Sequence, residues 1–158
     1  PLRVLDAVEQ ANEAQKQVLV NKLRARFGDQ LSGLHFALWG LAFKPDTDDM
    51  REAPSRTILE ALWSMGATVT AYDPAAMHEV RRIYGERADL TLSENPMDAL
   101  RDADALLIAT EWKAFRSPNF EAIKALLKTP LIFDGRNLYD PFSMRALGFE
   151  YLPIGRPS

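Results

Sequence analysis

The sequence predicts an α/β domain of three layers, a mostly parallel sheet with helices on both faces, preceded by one long helix. Three observations predict it. Strand-like and helix-like segments alternate from residue 34 to the end of the chain. Several strand segments are unbroken apolar runs, as expected where helices cover both sides of a sheet. Residues 2–27 contain neither Gly nor Pro and repeat apolar residues at helical spacing.

That first segment places Leu5, Val8, Ala11, Val18, Leu19, Leu23 and Phe27 near one another, and Gly28 is its natural stop. Asn12 and Gln15 interrupt the stripe, and about 25 residues is long for a helix inside a compact domain. Two readings therefore stand: the helix packs on its own domain, or it is shared with a second subunit or another domain. The chain opens at Pro1 without an initiator Met, in a helical pattern from the start, and is read as a piece of a longer polypeptide. The predicted division is a connecting helix over 1–28 and a sheet domain over 29–158. Strands are predicted at 34–41, 68–72, 90–92, 105–109, 131–133 and, weakly patterned, 150–152. Helices are predicted at 53–65, 75–84, 96–101, 119–127 and 143–147. This alternation implies right-handed β-α-β crossovers and a Rossmann-like sheet.

Composition narrows the function classes. A chain of 158 residues can bury roughly 70% of its unfolded surface, enough for a real core. Its formal net charge of -3 offers no broad attraction to nucleic acid or anionic lipid, so any basic site must be local. With no cysteine there is no disulfide frame, thiolate metal site or thiol nucleophile, and a cytoplasmic home is the default expectation. No apolar run approaches the roughly 18 residues of a membrane span, and residues 1–25 are too charged for a secretory signal.

The turn after the first strand reads Gly40-Leu41-Ala42-Phe43-Lys44-Pro45. A dinucleotide turn would carry G-x-G-x-x-G, whose glycines let backbone approach a pyrophosphate; one glycine is present here. What the turn offers is a flexible cation, Lys44, beside an aromatic, Phe43, where a phosphate and its attached ring could lie. Alternatively Lys44 is a solvated turn lysine. The carboxylates of Asp46-Thr47-Asp48-Asp49-Met50-Arg51-Glu52 suit the start of the next helix as caps and dipole partners, and a Mg²⁺ site there lacks a second acidic cluster. Arg51 stands at the positive end of that helix, so it pairs with neighbouring aspartates or reaches an anionic ligand.

Phe133-Asp134-Gly135-Arg136-Asn137 closes the fifth strand, and Arg136 would share a sheet edge with Lys44 if both strands are parallel. Its fork suits a diphosphate; otherwise it clasps Asp134 or Asp140. Asp73 in Tyr72-Asp73-Pro74 stands where a Rossmann enzyme would bind ribose, but Asp-Pro is also a common turn starter and is read as the turn, and Thr110-Glu111-Trp112-Lys113 either lines the pocket or packs at its rim. His35 and His78 stand apart from other ligand-type residues, so neither a metal site nor a triad is expected.

Together these motifs, in this order and spacing, resemble the C-terminal part of the UDP-glucose/GDP-mannose dehydrogenases over nearly the whole chain. Residues 1–27, with Asn12 and Gln15-Lys16-Gln17, resemble that family's long central helix, which implies a homodimer contact through it. The resemblance implies oxidation of the C6 hydroxyl of UDP-glucose to a carboxylate with two NAD⁺. It implies that Phe43, Lys44 and Arg136 contact the nucleotide sugar and that Arg51 reaches an NAD held mainly by another domain. It also implies that the family's nucleophilic cysteine and glycine-rich NAD fingerprint lie upstream, leaving this chain with no catalytic residue and no activity alone. GDP-mannose or a UDP-N-acetylhexosamine remain alternative substrates. A non-catalytic nucleotide-sensing module and a dimerisation unit remain alternative roles.

Overall fold

The computed structural model describes residues 16–154. Among these residues, six strands form one sheet in the order β3-β2-β1-β4-β5-β6, with every neighbouring pair parallel. The strands are β1 (His35–Trp39), β2 (Thr68–Tyr72), β3 (Leu90–Leu92), β4 (Ala105–Ile108), β5 (Leu131–Asp134) and β6 (Glu150–Pro153). This is the doubly wound Rossmann-like order, in which the chain reverses direction across the sheet between β1 and β4. Because all strands run the same way, the residues following β1, β4 and β5 emerge at one edge. That edge carries Phe43, Lys44, Glu111 and Arg136.

Alternation along β1 assigns its side chains to two layers. Phe36 and Leu38 join one buried cluster, and Ala37 and Trp39 join the other. The first layer holds α1 (residues 16–27), α2 (Pro54–Ser64) and α3 (Met77–Tyr84); the second holds α4 (Phe120–Leu126) and α5 (Pro141–Ala146). In α1, Leu19, Val20 and Leu23 are buried, and Phe27 meets Phe36 edge-on at 5.5 Å. The described half of the predicted long helix therefore belongs to the core of its own domain. Its backbone stops at Gly28, which takes a φ of 83° and donates its N–H to Arg24 O at 2.7 Å. The earlier part of the stripe, with Leu5, Val8, Ala11, Asn12 and Gln15, lies outside the described residues.

Two predicted elements differ from the fold for one reason. The strand predicted over 34–41 ends at Trp39, and the helix predicted from 75 begins at Met77. In both places backbone N–H groups turn instead onto the buried carboxylate of Asp73. The segment predicted helical over 96–101 is a single 3-10 turn, Asp98–Leu100.

Candidate functional site

The rim is built on Asp73, a fully buried carboxylate. Its Oδ2 accepts from Leu41 N at 2.7 Å, Ala42 N at 3.0 Å and Trp112 Nε1 at 3.1 Å. Its Oδ1 accepts from Ala75 N and Ala76 N, each at 2.8 Å. One side chain thus ties together the loops after β1, β2 and β4, which goes well beyond the turn-starting role predicted for it. Leu41 O and Ala42 O accept from Ser55 Oγ and Thr110 Oγ1, at 2.5 and 2.8 Å. Gly40, at φ 97°, is packed so closely on Thr110 that a Cβ would come within 2.6 Å of it.

These contacts test whether this turn suits a dinucleotide. It does not. The two N–H groups after the glycine, which would face a pyrophosphate, are committed to Asp73, and the space over Gly40 is filled by Thr110. Phe43, just beyond, is 45% exposed, and Lys44 is exposed beside it.

A parallel construction stands after β5. Asp134 is buried and accepts from Arg136 N at 2.8 Å, Leu138 N at 2.7 Å and Tyr151 Oη at 2.6 Å. Gly135 N donates to Ile108 O at 2.8 Å, and a Cβ there would sit 2.8 Å from the same oxygen. The turn is thereby drawn against β4. Arg136 points its Nε to Glu111 Oε2 at 2.7 Å, and its Nη2 reaches the same oxygen. The clasp predicted with Asp134 or Asp140 is thus made with a different carboxylate. Asp134 holds the Arg136 backbone, and Asp140 caps α5 by accepting from Ser143 N.

Phe43 and Arg136 line one cleft of roughly 300 Å³, floored by Leu19, Ile58 and Ile108, with Lys16 and Glu52 at its margin. Lys16 Nζ lies 2.7 Å from Glu52 Oε2 and brings α1 into the site. Lys44 and Arg51 are not in that lining. Arg51, 89% exposed at its side chain, lines a second cleft of roughly 740 Å³ with Asp48, Asp49, Arg56, Glu79 and Arg82. Its guanidinium lies 2.9 Å from Asp49 Oδ2, and that bond holds the Asp49 carboxyl down at about 2, with Lys44 adding a smaller attraction.

The acidic run before α2 does not cap it. The N-cap is Ala53, without a side-chain bond, and no acidic residue stands in the first turn. Its carboxylates instead meet basic side chains: Asp49 with Arg51, Glu52 with Lys16, and Asp48 with the His78 imidazole at 3.1 Å. Among the described residues no cluster of three or more His, Cys, Asp or Glu is arranged for a metal, and no helix is long and apolar enough to cross a membrane. His35 lies between the hydroxyls of Thr68 and Thr70 at 2.7 and 2.8 Å, and burial lowers its pKa. Two partnerships escaped the sequence reading, Lys16 with Glu52 and Glu111 with Arg136. They join residues 36 and 25 positions apart, beyond the reach of any local pattern.

Residues 37–141 match the UDP-glucose/GDP-mannose dehydrogenase family, UDP binding domain. UDP-glucose 6-dehydrogenase of Pseudomonas aeruginosa is 50% identical over 158 residues, covering 98% of this chain and 35% of that protein. The Rhizobium meliloti UDP-glucose 6-dehydrogenase is 39% identical, covering 99% and 35%. Among solved structures, a UDP-glucose dehydrogenase from the hyperthermophilic archaeon Pyrobaculum islandicum superimposes with a TM-score of 0.74 at 31% identity, covering 93% of this chain and 31% of that one. The chain thus spans about a third of the length of the curated relatives it matches.

Proposed function

The chain belongs to the UDP-glucose/GDP-mannose dehydrogenase family, and from that premise we propose that it is the nucleotide-sugar-binding portion of an NAD-dependent UDP-glucose 6-dehydrogenase. The whole enzyme would convert UDP-glucose, two NAD⁺ and water to UDP-glucuronate and two NADH, with release of protons. The observation that carries the reading is the shared cleft, where an aromatic from the β1 loop and an arginine from the β5 loop stand over an apolar floor.

In this reading Arg136 pairs with the diphosphate, Phe43 lies against the nucleotide sugar, and Lys44 adds a mobile positive charge from the adjoining loop. A guanidinium and an ammonium offset the two phosphoryl charges, and Asp73 and Asp134 keep both loops in place before the ligand arrives. Binding energy from the remote UDP moiety then holds C6 where hydride can leave it. The chain has no cysteine and so supplies no thiolate, and its β1 turn does not fit NAD. Both are assigned to the part of the enzyme outside this chain, with Arg51 reaching across to the cofactor from its exposed position. The chain alone is therefore proposed to be inactive, and the full enzyme to be a cytoplasmic homodimer joined through the long helix.

The test is kinetic, in the full-length enzyme with several nucleotide sugars and NADH as readout. Lys44→Ala and Arg136→Ala should each weaken UDP-glucose binding by more than about tenfold, the worth of a charge-assisted hydrogen bond. Arg51→Ala should raise the KM for NAD instead. Unchanged affinity in a folded Lys44→Ala/Arg136→Ala double variant overturns the site, and a preference for GDP-mannose or a UDP-N-acetylhexosamine overturns the substrate.

A further inference from the structure

Glu111 has no role in the reading above, yet it makes the only side-chain hydrogen bonds and ion pair of the Arg136 guanidinium among the described residues. We propose that Glu111 is a positioning residue: it grips the Nε–Nη2 edge of the Arg136 guanidinium and thereby aims the remaining N–H groups at the diphosphate. The inference rests on the assignment of Arg136 to the nucleotide sugar.

Three features of the contact support positioning. A single oxygen, Oε2, takes both Nε and Nη2, which holds that edge of the fork, while Nη1 on the far edge has no hydrogen-bond partner among the described residues. Glu111 itself stands on pinned backbone. Thr110 on one side donates to Ala42 O at 2.8 Å, and Trp112 on the other donates to buried Asp73 at 3.1 Å. The opposing Arg136 backbone is held by Asp134 and follows Gly135, which is drawn onto β4. A long side chain that would otherwise sample many rotamers is therefore held between two rigid anchors, and a donor ordered in advance loses less entropy on binding.

A carboxylate beside a phosphate-binding cation also repels the phosphate, so the two effects must be separated. Glu111→Gln keeps an acceptor oxygen for the fork and removes the negative charge; Glu111→Ala removes both. If orientation dominates, the order of UDP affinity is Gln at least equal to wild type, and Ala weaker. In the full-length enzyme we expect Glu111→Ala to raise the KM for UDP-glucose and the calorimetric Kd for UDP by about fivefold or more, within the range of coupling between contacting residues. The kcat should remain within about twofold, since the contact lies on the nucleotide and acts in ground and transition states alike.

A double-mutant cycle with Arg136→Ala completes the test. Once Arg136 is absent, Glu111→Ala should weaken UDP binding no further, and any change left should be a tightening from relieved repulsion. If Arg136→Ala leaves UDP binding intact, the site assignment itself falls. If Arg136→Ala weakens binding but Glu111→Ala does not, or tightens it, the positioning role falls while the site stands. Additive losses overturn the role as well, because Glu111 would then act independently of Arg136. A Gln variant as weak as Ala overturns it by showing that the charge, and not the grip, is what matters.

Discussion

Replacing Asp73 with Asn probes the joint on which the site rests. The native carboxylate accepts from five N–H groups, three on Oδ2 and two on Oδ1. An amide of the same shape offers one acceptor oxygen and one NH₂ group. Its best orientation turns the oxygen to Leu41, Ala42 and Trp112 and sets the NH₂ against Ala75 N and Ala76 N. Two charge-assisted bonds are then replaced by donor facing donor, at about 1.5–3 kcal/mol each. Ala76 is buried whereas Ala75 is partly solvated, so the combined loss should be roughly 3–4 kcal/mol, a large share of the 5–15 kcal/mol typical of a domain. With a urea slope of about 2 kcal/mol/M, the unfolding midpoint of the chain should fall by about 1.5–2 M at little change in slope. A midpoint within about 0.5 M of the native chain, roughly 1 kcal/mol on that slope, would refute the assignment of Asp73 as a buried anionic joint.

Gly135→Ala should shift the β5 turn, because the new Cβ meets Ile108 O at 2.8 Å and that oxygen is backbone. A stability loss of about 1–3 kcal/mol by urea unfolding, accompanied by weaker UDP binding in the full-length enzyme, is expected; native values for both would contradict the close approach. His35 sets a pH dependence. Burial holds its folded pKa below the ordinary 6.5, so below that pH the unfolded chain binds a proton more readily than the folded one. Its contribution is complete above about 6.5 and is lost as pH falls toward the folded value. The thermal midpoint should therefore decline from pH 7 to pH 5 more steeply in the native chain than in His35→Gln, and equal declines would show that this ring is not responsible.

Much of the architecture was legible because it depends on local periodicity. The runs at 68–72 and 90–92 form strands with the predicted limits, and the unbroken apolar strand at Ala105–Ile108 is buried on both faces as that pattern demands. Where reading failed, a distant partner had intervened. The acidic run at 46–52 carries every local mark of a helix start, yet its carboxylates do not cap α2: Asp49 pairs with Arg51 inside the run, while Glu52 and Asp48 meet Lys16 and His78, which lie 36 and 30 positions away. The same holds for Asp73, a common turn residue whose five bonds reach into three loops.

By itself the sequence determined the doubly wound sheet and the presence of Phe43, Lys44 and Arg136 at strand ends, since hydrophobic period and turn residues are properties of neighbours along the chain. Only the tertiary structure decided that Phe43 and Arg136 face one cleft, that Arg51 lines another, and that Glu111 holds the arginine. Those facts depend on the parallel register of β1, β4 and β5 and on buried carboxylates that bind backbone across loops. Contacts of that kind join residues far apart in the chain, and no pattern within either loop records the other.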